Sequence, residues 1–496
     1  MFLLILFTTI LAWLVVRQYR KISRLPPGPL SFPLIGNLPQ IGYYLWKTGG
    51  IVPMFDLMRK RYGNIFTLWL GPIPHVSIAD YETSHEVFVK NGSKFADKFA
   101  PAIFQEMRND NGVIITNGER WQEMRRFSLL TFRNMGVGRD LMETRIMEEL
   151  NARCADIDKK AVNGVTVAQA ADFFDLTVGS IINSILVGKR FEEDTADEFH
   201  KMKAALDDSM DMLTPLDLAI PTWIFKISFK SRFEKAVHLQ ELVKDYAARD
   251  AVERLKEIEK GTYTVDLNNL KDFADSFILK MQQESEKKDS VYTLENLKCM
   301  LIDLWATGQE TTTTTLISGF NQLLLHPQVM DKARKELLSV TDNGKRSLSL
   351  TDKNSTPYFN AMIGEIQRHA SILNVSFWKI NHEFTYMGGH PVDAGALVTA
   401  QLSALHANDD IFEQPEMFDP ERFMKNEKLL QQVIPFGVGK RSCLGEALAR
   451  AELYLIFGNL LLRYNFKPYG KPSTVQRQPF GAAKRPFKLG MQFVKI

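Results

Sequence analysis

The chain has 496 residues, of which 45% are hydrophobic and 24% charged, a composition typical of a globular protein and not of a disordered or fibrous one. Its 61 Lys and Arg residues nearly balance its 58 Asp and Glu residues, so nucleic acid is not the expected partner. The three cysteines, Cys154, Cys299 and Cys443, contain no CxxC pair, which excludes a disulfide framework and a cysteine zinc site.

The first predicted element is a membrane anchor at the N-terminus. Phe2 to Val16 carries no charge and is followed by Arg17, Arg20 and Lys21. As a helix, residues 1–16 span about 24 Å, slightly less than the roughly 30 Å hydrocarbon core of a bilayer. Because the positive charges follow the apolar run, the pattern differs from a cleaved signal peptide and predicts a cytoplasmic body. Residues 1–17 are predicted to be the anchor, with a buried N-terminal helix as the alternative.

A basic, proline-rich hinge is predicted over residues 18–30. Its Pro26-Pro27-Gly28-Pro29 stretch cannot continue a helix and favours a stiff extended turn, although such turns also occur in ordinary loops. No linker or internal repeat divides the sequence that follows. Residues 31–496 are therefore predicted to form a single domain.

The later segments predict a mainly α-helical fold with a small β region. Ile65 to Leu70 ends at Gly71-Pro72 and is followed by Val76 to Ile78, which predicts a hairpin. Short strands are also predicted near 383–387 and 397–401. Apolar periodicity and helix-boundary signals predict longer helices over 119–134, 139–160, 198–213, 230–258, 292–325, 327–340, 357–371 and 444–463.

The strongest chemical signal is the segment from Phe436 to Gly445. It places Cys443 at the start of the predicted helix 444–463, where unpaired backbone N–H groups and the nearby Arg441 favour a thiolate. Two glycines just upstream allow a tight bend and the close approach of a flat ligand. By itself, a lone cysteine beside an apolar helix is usually a buried core residue.

This segment resembles the haem-binding signature of the cytochrome P450 family, Phe-x-x-Gly-x-Arg-x-Cys-x-Gly. The fixed positions are filled by Phe436, Gly439, Arg441, Cys443 and Gly445, and the resemblance extends over essentially the whole chain. It implies the cytochrome P450 fold and a haem b (iron protoporphyrin IX) whose axial ligand is the Cys443 thiolate. A thiolate pushes electron density through the iron and favours O–O cleavage.

The predicted helix 292–325 contains a Thr-Gly-Gln-Glu-Thr-Thr stretch at positions 307 to 312. Its glycine and β-branched residues weaken a helix, and the Thr311 hydroxyl can bond the Thr307 carbonyl and open or bend a turn. Taken alone, the stretch is typical of a solvated helix face. The resemblance implies that Glu310 and Thr311 are the catalytic acid–alcohol pair that delivers protons. Thr307 stands where the family usually has Ala or Gly, and its hydroxyl and methyl groups would narrow the oxygen groove or alter its water.

Further cofactor contacts are implied by the resemblance. Trp121 and Arg125 are four apart, the spacing that puts both on one helix face. With Arg441 they would bind the two haem propionates, because burying these anions requires cations and hydrogen-bond donors. Lys379 stands where the family often has Arg or His and is included in the same set.

A structural network is also implied. Glu365 and Arg368 are three apart on one helix face, and Arg422 lies in the downstream Phe-Asp-Pro-Glu-Arg-Phe segment. In isolation such charges usually lie on protein surfaces. The resemblance joins the three in a buried network that supports the fold and the haem pocket.

Together these residues imply a monooxygenase that splits O₂ and hydroxylates or epoxidises a lipophilic substrate. No GxGxxG or flavin signature appears in the sequence, so electrons must come from a separate protein. For a microsomal enzyme this is the NADPH–cytochrome P450 reductase, with cytochrome b5 as a further candidate donor, at the endoplasmic reticulum membrane. Basic residues near the thiolate side are the expected docking contacts: Arg126, Arg133, Arg139 and Lys440.

Two other functions stay open. A thiolate-haem isomerase or dehydratase would rearrange lipid peroxides without O₂ or a reductase, but it would not need the pair Glu310 and Thr311. A non-enzymatic haem- or lipid-binding membrane protein is the second alternative.

The resemblance also marks segments that would line a substrate pocket. They are largely apolar, which favours fatty acids, eicosanoids, steroids or foreign compounds. These segments are Phe99–Phe104, Leu206–Met212, Ile302–Ala306, Asn374–Phe377 and Gln478–Gly481. The apolar stretch from Leu213 to Phe229 is predicted to dip into the bilayer near the substrate entrance, with packing inside the protein as the alternative.

Overall fold

The computed structural model describes residues 1–136, 140–192, 195–212, 222–266, 270–473, 484 and 488–496. Helices dominate this part of the chain. The α-helices are α1 Phe2–Ile22, α2 Leu38–Thr48, α3 Ile51–Tyr62, α4 Tyr81–His85, α5 Ala102–Arg108, α6 Gly118–Asn134, α7 Asp140–Lys159, α8 Ala170–Val187, α9 Ala196–Met212, α10 Thr222–Ser228, α11 Lys230–Glu259, α12 Phe273–Gln283, α13 Leu294–Leu325, α14 Pro327–Val340, α15 Pro357–Ala370, α16 Leu402–His406, α17 Glu421–Lys425, α18 Lys428–Gln431 and α19 Glu446–Arg463. A π-helical turn, Glu86–Lys90, and a 3₁₀-helix, Leu350–Ser355, complete the helical structure.

Among the residues that the structure describes, three small sheets make up the β region. The strands are β1 Ile65–Leu70, β2 Ile73–Ile78, β3 Val165–Gln169, β4 Lys379–Ile380, β5 Thr385–Met387, β6 His390–Val392, β7 Leu397–Ala400, β8 Tyr464–Tyr469 and β9 Gly490–Lys495. The sheets have the orders β1-β2-β7-β4, β3-β9-β8 and β5-β6. The β2–β7 pair is parallel, which brings a strand from late in the chain beside the N-terminal hairpin.

The long helix α13 lies in the core between α8 and α19. The ring of its buried Phe320 stacks on those of Phe174 in α8 and Phe457 in α19, with ring centroids 5.2 and 5.1 Å away. A Cβ added to Gly308 would lie 2.8 Å from Ile182 Cδ1 of α8. Glycine at this position therefore allows α13 and α8 to approach closely.

Helix α8 is apolar on nearly every side. Among the described residues it is the single helix long and apolar enough to cross a membrane by length and composition, yet 72% of that segment is buried inside the protein. A helix that is hydrophobic all round and covered by protein is a core element. We therefore assign α8 to the core.

The N-terminal region combines an exposed apolar helix with a fixed proline-rich stretch. Phe2 and Trp13 of α1 are 77% and 57% exposed. The Thr67 N–H donates a hydrogen bond to the Pro27 carbonyl oxygen over 2.9 Å, and a Cβ on Gly28 would lie 2.0 Å from Thr67 O. The proline-rich stretch is thus held against β1, and it does not project freely from the body.

The predicted fold class is confirmed, and the eight helices predicted after the hairpin are present with their ends within two residues of the predicted positions. The N-terminal helix α1 continues to Ile22, five residues beyond the predicted anchor and into the predicted hinge. The hairpin is formed by β1 and β2, and the two predicted short strands correspond to β5 and β7. The predicted helices did not include α8, whose buried apolar surface lacks the polar face that an amphipathic pattern requires.

Candidate active site

The loop before α19 turns tightly and presents Cys443. The Cys443 N–H donates to the Phe436 carbonyl oxygen over 2.9 Å, and Gly437 and Gly439 have φ of 68° and 82°. A Cβ on Gly439 would lie 1.8 Å from the backbone oxygen of Phe88. Glycine is therefore required at 439 by a close backbone contact, which adds a reason for the residue beyond the predicted approach of a flat ligand. Helix α19 begins at Glu446, two residues after the predicted start.

The Cys443 thiol is accessible although protein surrounds it. Burial raises the pKa of Cys443 above that of an ordinary thiol, and it outweighs the Gly445 N–H and the cations Arg125 and Lys98. This differs from the expectation that the helix start and the nearby Arg441 favour a thiolate, because in the protein alone desolvation disfavours the charged form. A metal ion held by the Cys443 sulfur would supply the missing charge, since metal coordination deprotonates a thiol.

Arg441 lies beside Cys443 and packs over an aromatic ring. Its guanidinium carbon is 3.6 Å from the Trp121 ring centroid. Nη2 donates to the Thr116 carbonyl oxygen over 2.8 Å and to Asn117 Oδ1 over 2.7 Å. Nη1 is buried and has no hydrogen-bond partner among the described residues. This unsatisfied donor indicates that a further acceptor belongs beside Arg441.

Two buried lysines lie next to Arg441. Lys98 and Lys379 face each other across an antiparallel backbone bridge and are 8% and 6% exposed. The Lys379 ammonium donates to Ser376 Oγ and to the Phe377 carbonyl oxygen, both over 3.0 Å. Burial and the charge of Arg441 lower the pKa of Lys379 to about 7. Burial, Arg441 and Lys379 likewise hold the pKa of Lys98 well below its usual range.

We call Lys98, Arg125, Lys379 and Arg441 the cation cradle. Arg125 completes it by donating from Nη1 to the Ser442 carbonyl oxygen over 3.0 Å, next to the cysteine. Within the described ranges, no carboxylate lies within 4.0 Å of any of the four as an ion pair. Buried cations without counter-ions are costly, so the cradle is built for an anion.

The cradle and the accessible cysteine fit a haem. Two propionates match a cluster of two buried lysines and two half-buried arginines, one with an unsatisfied guanidinium donor, and a thiolate matches the axial position. Trp121, Arg125, Lys379 and Arg441 are brought together as the resemblance implied. Lys98 was not among the predicted residues.

The face of α13 around Thr311 is continuous and helical. Thr311 Oγ1 donates to the Thr307 carbonyl oxygen over 2.8 Å, the bond that the sequence suggested. The turn is neither opened nor broken, because helical structure runs without interruption from Leu294 to Leu325. Thr307 is exposed and Thr311 is half-buried. They are among the more accessible side chains of this part of α13, where Trp305, Gln309 and Thr312 are buried.

Glu310 belongs to a separate buried cluster of charges. Its Oε1 lies 2.9 Å from Nζ of Lys203 in α9, and Lys203 also pairs with Asp207 over 2.8 Å. Burial, together with Asp207 and Asp175, raises the pKa of Glu310 to about 7. Although burial lowers it, the same three carboxylates raise the pKa of Lys203. Glu310 therefore retains a proton near neutral pH.

The structure also brings Glu365, Arg368 and Arg422 together. Arg368 Nε and Nη2 donate to the two Glu365 carboxylate oxygens, each over 2.8 Å. Arg422 Nε donates to Glu365 Oε1 over 3.2 Å, and the Asp419 N–H adds a bond of 3.0 Å. All three side chains are nearly inaccessible. The buried carboxylate is therefore fully surrounded by donors.

Two of the expected docking and membrane regions are only partly described. Arg126 is 71% exposed and pairs with Glu123 over 2.7 Å, and Arg133 and Lys440 are exposed. Arg139 lies outside the described residues. The same holds for the pocket segment Gln478–Gly481 and for residues 213–221 of the apolar stretch. The rest of that stretch contains α10, where Trp223 and Ile227 are 66% and 75% exposed.

Residues 26–492 match the family model described as Cytochrome P450. A probable cytochrome P450, cyp-35D1 of Caenorhabditis elegans, is 48% identical over 100% of both chains. Cytochrome P450 2C14 of Oryctolagus cuniculus is 33% identical over 93% of this chain and 92% of its own length. Cytochrome P450 2C55 of Mus musculus is 34% identical over 96% and 95%. The chain therefore belongs to the cytochrome P450 family.

Members of this family bind haem b through a cysteine thiolate, take electrons from redox partners and oxidise lipophilic substrates. The protein is accordingly a haem-thiolate monooxygenase. The expected class of enzyme and cofactor is confirmed, and the peroxide-rearranging and non-enzymatic alternatives give way to it.

Proposed function

We propose that Cys443 is the axial ligand of the haem and that the cation cradle, with Trp121, holds its propionates. The carrying observation is a group of two buried lysines and two half-buried arginines, none with an ion-pair partner among the described residues, beside an accessible cysteine. Phe436, Gly439 and Gly445 shape the loop that presents the sulfur. When bound, the haem supplies O₂ activation and insertion of one oxygen atom into the substrate.

We propose that Thr311 positions a proton for O–O cleavage and that Glu310 acts as its reserve. Thr311 Oγ1 donates to the Thr307 carbonyl oxygen, which leaves its lone pairs free to accept a proton donor such as water. Glu310 holds a proton near neutral pH because burial and two further carboxylates disfavour its charge. Its side chain pairs with Lys203, so a water chain or a side-chain movement must link it to Thr311.

Electrons reach this site, we propose, from the NADPH–cytochrome P450 reductase, with cytochrome b5 as a second donor. Arg133 and Lys440 are exposed, and Lys440 directly precedes the Arg441 to Cys443 segment. Exposed cations attract an acidic partner and raise its rate of association. They support docking on the thiolate side.

Residues 1–17, we propose, anchor the protein in the endoplasmic reticulum membrane, and residues 31–496 form the catalytic domain on the cytosolic side. Exposed apolar side chains along α1, such as Phe2 and Trp13, and the basic residues after it support this orientation. The substrates are lipophilic molecules of the fatty acid, eicosanoid, steroid or xenobiotic classes.

The ligand assignment is tested by the carbon monoxide difference spectrum of the reduced protein. Cys443→Ser is expected to abolish the strongly red-shifted band and NADPH-dependent product formation with purified reductase. Cys154→Ala, which alters a buried cysteine in α7, is the matched control and is expected to retain both. Survival of the band in Cys443→Ser would contradict the assignment.

The proton assignment is tested by Thr311→Ala. Positioned proton transfer is typically worth about 10²–10⁴-fold in rate, so this variant is expected to consume NADPH while forming less product and releasing more hydrogen peroxide. Haem content and substrate binding should stay nearly intact. Unchanged product yield per NADPH would remove Thr311 from the mechanism.

A further inference from the structure

His406, the last residue of α16, is a buried imidazole with a hydrogen-bond partner at each ring nitrogen. Its Nε2 lies 3.0 Å from the backbone nitrogen of Ile434, and because a backbone N–H can only donate, Nε2 is the acceptor. A neutral imidazole that accepts at Nε2 carries its proton on Nδ1. Nδ1 lies 3.1 Å from Ser371 Oγ and donates to it. The two contacts therefore fix both the tautomer and the orientation of the ring.

The His406 ring is neutral near physiological pH. Burial lowers the pKa of His406 to about 3, and the charges of Arg368 and Lys484 act in the same direction. A protonated imidazole would carry a hydrogen on each nitrogen and could not accept from the Ile434 N–H. Nε2 is therefore a constant acceptor in the folded protein.

Helix α15 holds His406 at two points. Arg368 Nη1 donates to the His406 carbonyl oxygen over 2.8 Å. Ser371, which accepts the ring proton, follows the last residue of α15 in the left-handed conformation, with φ of 39°. Arg368 is in turn paired with Glu365 on the same helix. The accepting nitrogen is thus connected to the buried network of Glu365.

Beyond Ile434, hydrogen bonds continue into the loop that carries Cys443. The Ile434 carbonyl oxygen accepts from the Gly437 N–H over 3.0 Å, and the Phe436 carbonyl oxygen accepts from the Cys443 N–H over 2.9 Å. Pro435 has no N–H, so the Ile434 N–H is the last backbone donor ahead of the turn that starts at Phe436. Ile434 is 7% exposed, and its N–H therefore needs a partner inside the protein.

We propose that His406 is a positioning residue for the haem ligand, because its Nε2 fixes the start of the Cys443 loop relative to α15. The imidazole joins the Glu365 network to the loop that presents the sulfur. Without the bond to Ile434, the loop is free to shift and the sulfur is held less firmly at the axial position. This inference rests on the proposed role of Cys443.

The test uses the reduced, full-length holoenzyme and measures how fast the strongly red-shifted carbon monoxide band is lost in guanidinium chloride below the unfolding transition. His406→Gln places an amide oxygen near the position of Nε2, so it should keep the Ile434 bond and the wild-type rate. His406→Asn is too short to reach Ile434. Its band should be lost about 5- to 150-fold faster, the change that corresponds to a buried N–H without a partner.

Two further variants separate the loop from the fold. Ser371→Gly removes the acceptor of the Nδ1 proton, and glycine adopts φ of 39° without strain. The ring then has no preferred tautomer, and the band should be lost about two- to tenfold faster. His75→Asn is the matched control, since His75 is a buried histidine of β2 whose Nε2 has no partner among the described residues. It should leave the rate unchanged.

The outcomes distinguish the role of His406 from that of Cys443. Equal rates for His406→Gln and His406→Asn would overturn the proposal. A His406→Asn variant that lowers the unfolding free energy of the apoprotein but loses the band at the wild-type rate would also overturn it, because His406 would then serve the fold alone. Should His406→Asn fail to retain haem, a wild-type rate in Ser371→Gly would have the same meaning. A wild-type protein without the red-shifted band would instead contradict ligation by Cys443.

Discussion

Two buried groups of charges in this protein have opposite chemistry. Around Glu365, each charge has a partner, because Arg368 and Arg422 donate directly to its carboxylate. In the cation cradle, positive groups such as Lys379 lie beside one another, and burial lowers the pKa values. A buried cluster whose charges cancel stabilises the fold, whereas one whose charges repel indicates a ligand of opposite charge.

The largest effect is expected for the buried network of Glu365, Arg368 and Arg422. Glu365→Ala leaves two buried guanidinium groups without their carboxylate, which costs about 3–5 kcal/mol of folding free energy. We expect little folded protein, measured by chemical unfolding of the purified apoprotein. Lys287→Ala, which removes one partner of a surface pair with 69% exposure, is the control and should change the unfolding free energy by less than about 1 kcal/mol. Equal effects of the two variants would refute the distinction.

The cradle is expected to respond in the opposite way. Lys379→Met removes a repelled, buried charge, so the apoprotein should be as stable as the wild type or more so. Haem binding loses a charge-assisted hydrogen bond worth roughly 1.5–3 kcal/mol, and its affinity should fall about 10- to 100-fold. Unfolding of the apoprotein and haem transfer to a scavenging globin measure the two effects. A loss of apoprotein stability without a loss of haem affinity would assign Lys379 to the fold.

The pH dependence of apoprotein stability and of haem affinity tests the same difference between fold-stabilising and ligand-binding charges. The pKa of Lys379 is about 7 in the folded chain and about 10.4 when unfolded. Between these values the unfolded chain binds more protons, so apoprotein stability should rise with pH. A bound propionate requires the protonated lysine, so haem affinity should fall above pH 7, by up to about tenfold per pH unit. Lys379→Arg stays protonated and should show a flatter haem-transfer profile, and parallel profiles would contradict the prediction.

The smallest effect is expected for the exposed cations near Cys443 that are proposed to contact the reductase. Reversing a cation there, as in Lys440→Glu, should raise the reductase concentration needed for half-maximal turnover a few-fold at low salt, because rim charges act mainly on association. The difference should shrink as salt screens the interaction. The carbon monoxide band should not change. Lys467→Glu, an exposed residue of β8, is the control, and an equal effect there would argue against docking beside Cys443.

The parts of the fold and of the site that could be predicted are those that carry a local signal in the sequence. The ends of α13 were predictable because Thr293 caps the helix by accepting from the Asn296 N–H and Pro327 starts the next one. The loop that carries Cys443 was predicted from the spacing of the fixed residues in the haem-binding signature. Lys98 was not predicted because a lysine next to an aspartate, here Asp97, is typical of a protein surface. Its place in the cation cradle follows only from its backbone bridge to Lys379.

The direction in which the Glu310 side chain points could also not be predicted from the sequence. Its position next to Thr311 suggests that the two act side by side, but consecutive residues in a helix point about 100° apart. The alcohol therefore points in a different direction from the acid, which reaches Lys203 of α9. Which neighbour the acid finds depends on how α8 and α9 pack against α13, which is not encoded locally.

The cradle is assembled from distant parts of the polypeptide. Arg441 bonds the Ala96 carbonyl oxygen, 345 residues earlier in the chain, and Gly439 touches Phe88. Contacts between such remote segments form slowly and late, after the chain closes a large loop. During synthesis the segment that carries Lys98 and Arg125 is made long before Arg441 and Cys443, so cofactor capture becomes one of the last steps of maturation. A chain that ends before residue 439 would keep most of its helices yet never acquire the prosthetic group, and its uncovered apolar surfaces would direct it to aggregation or degradation.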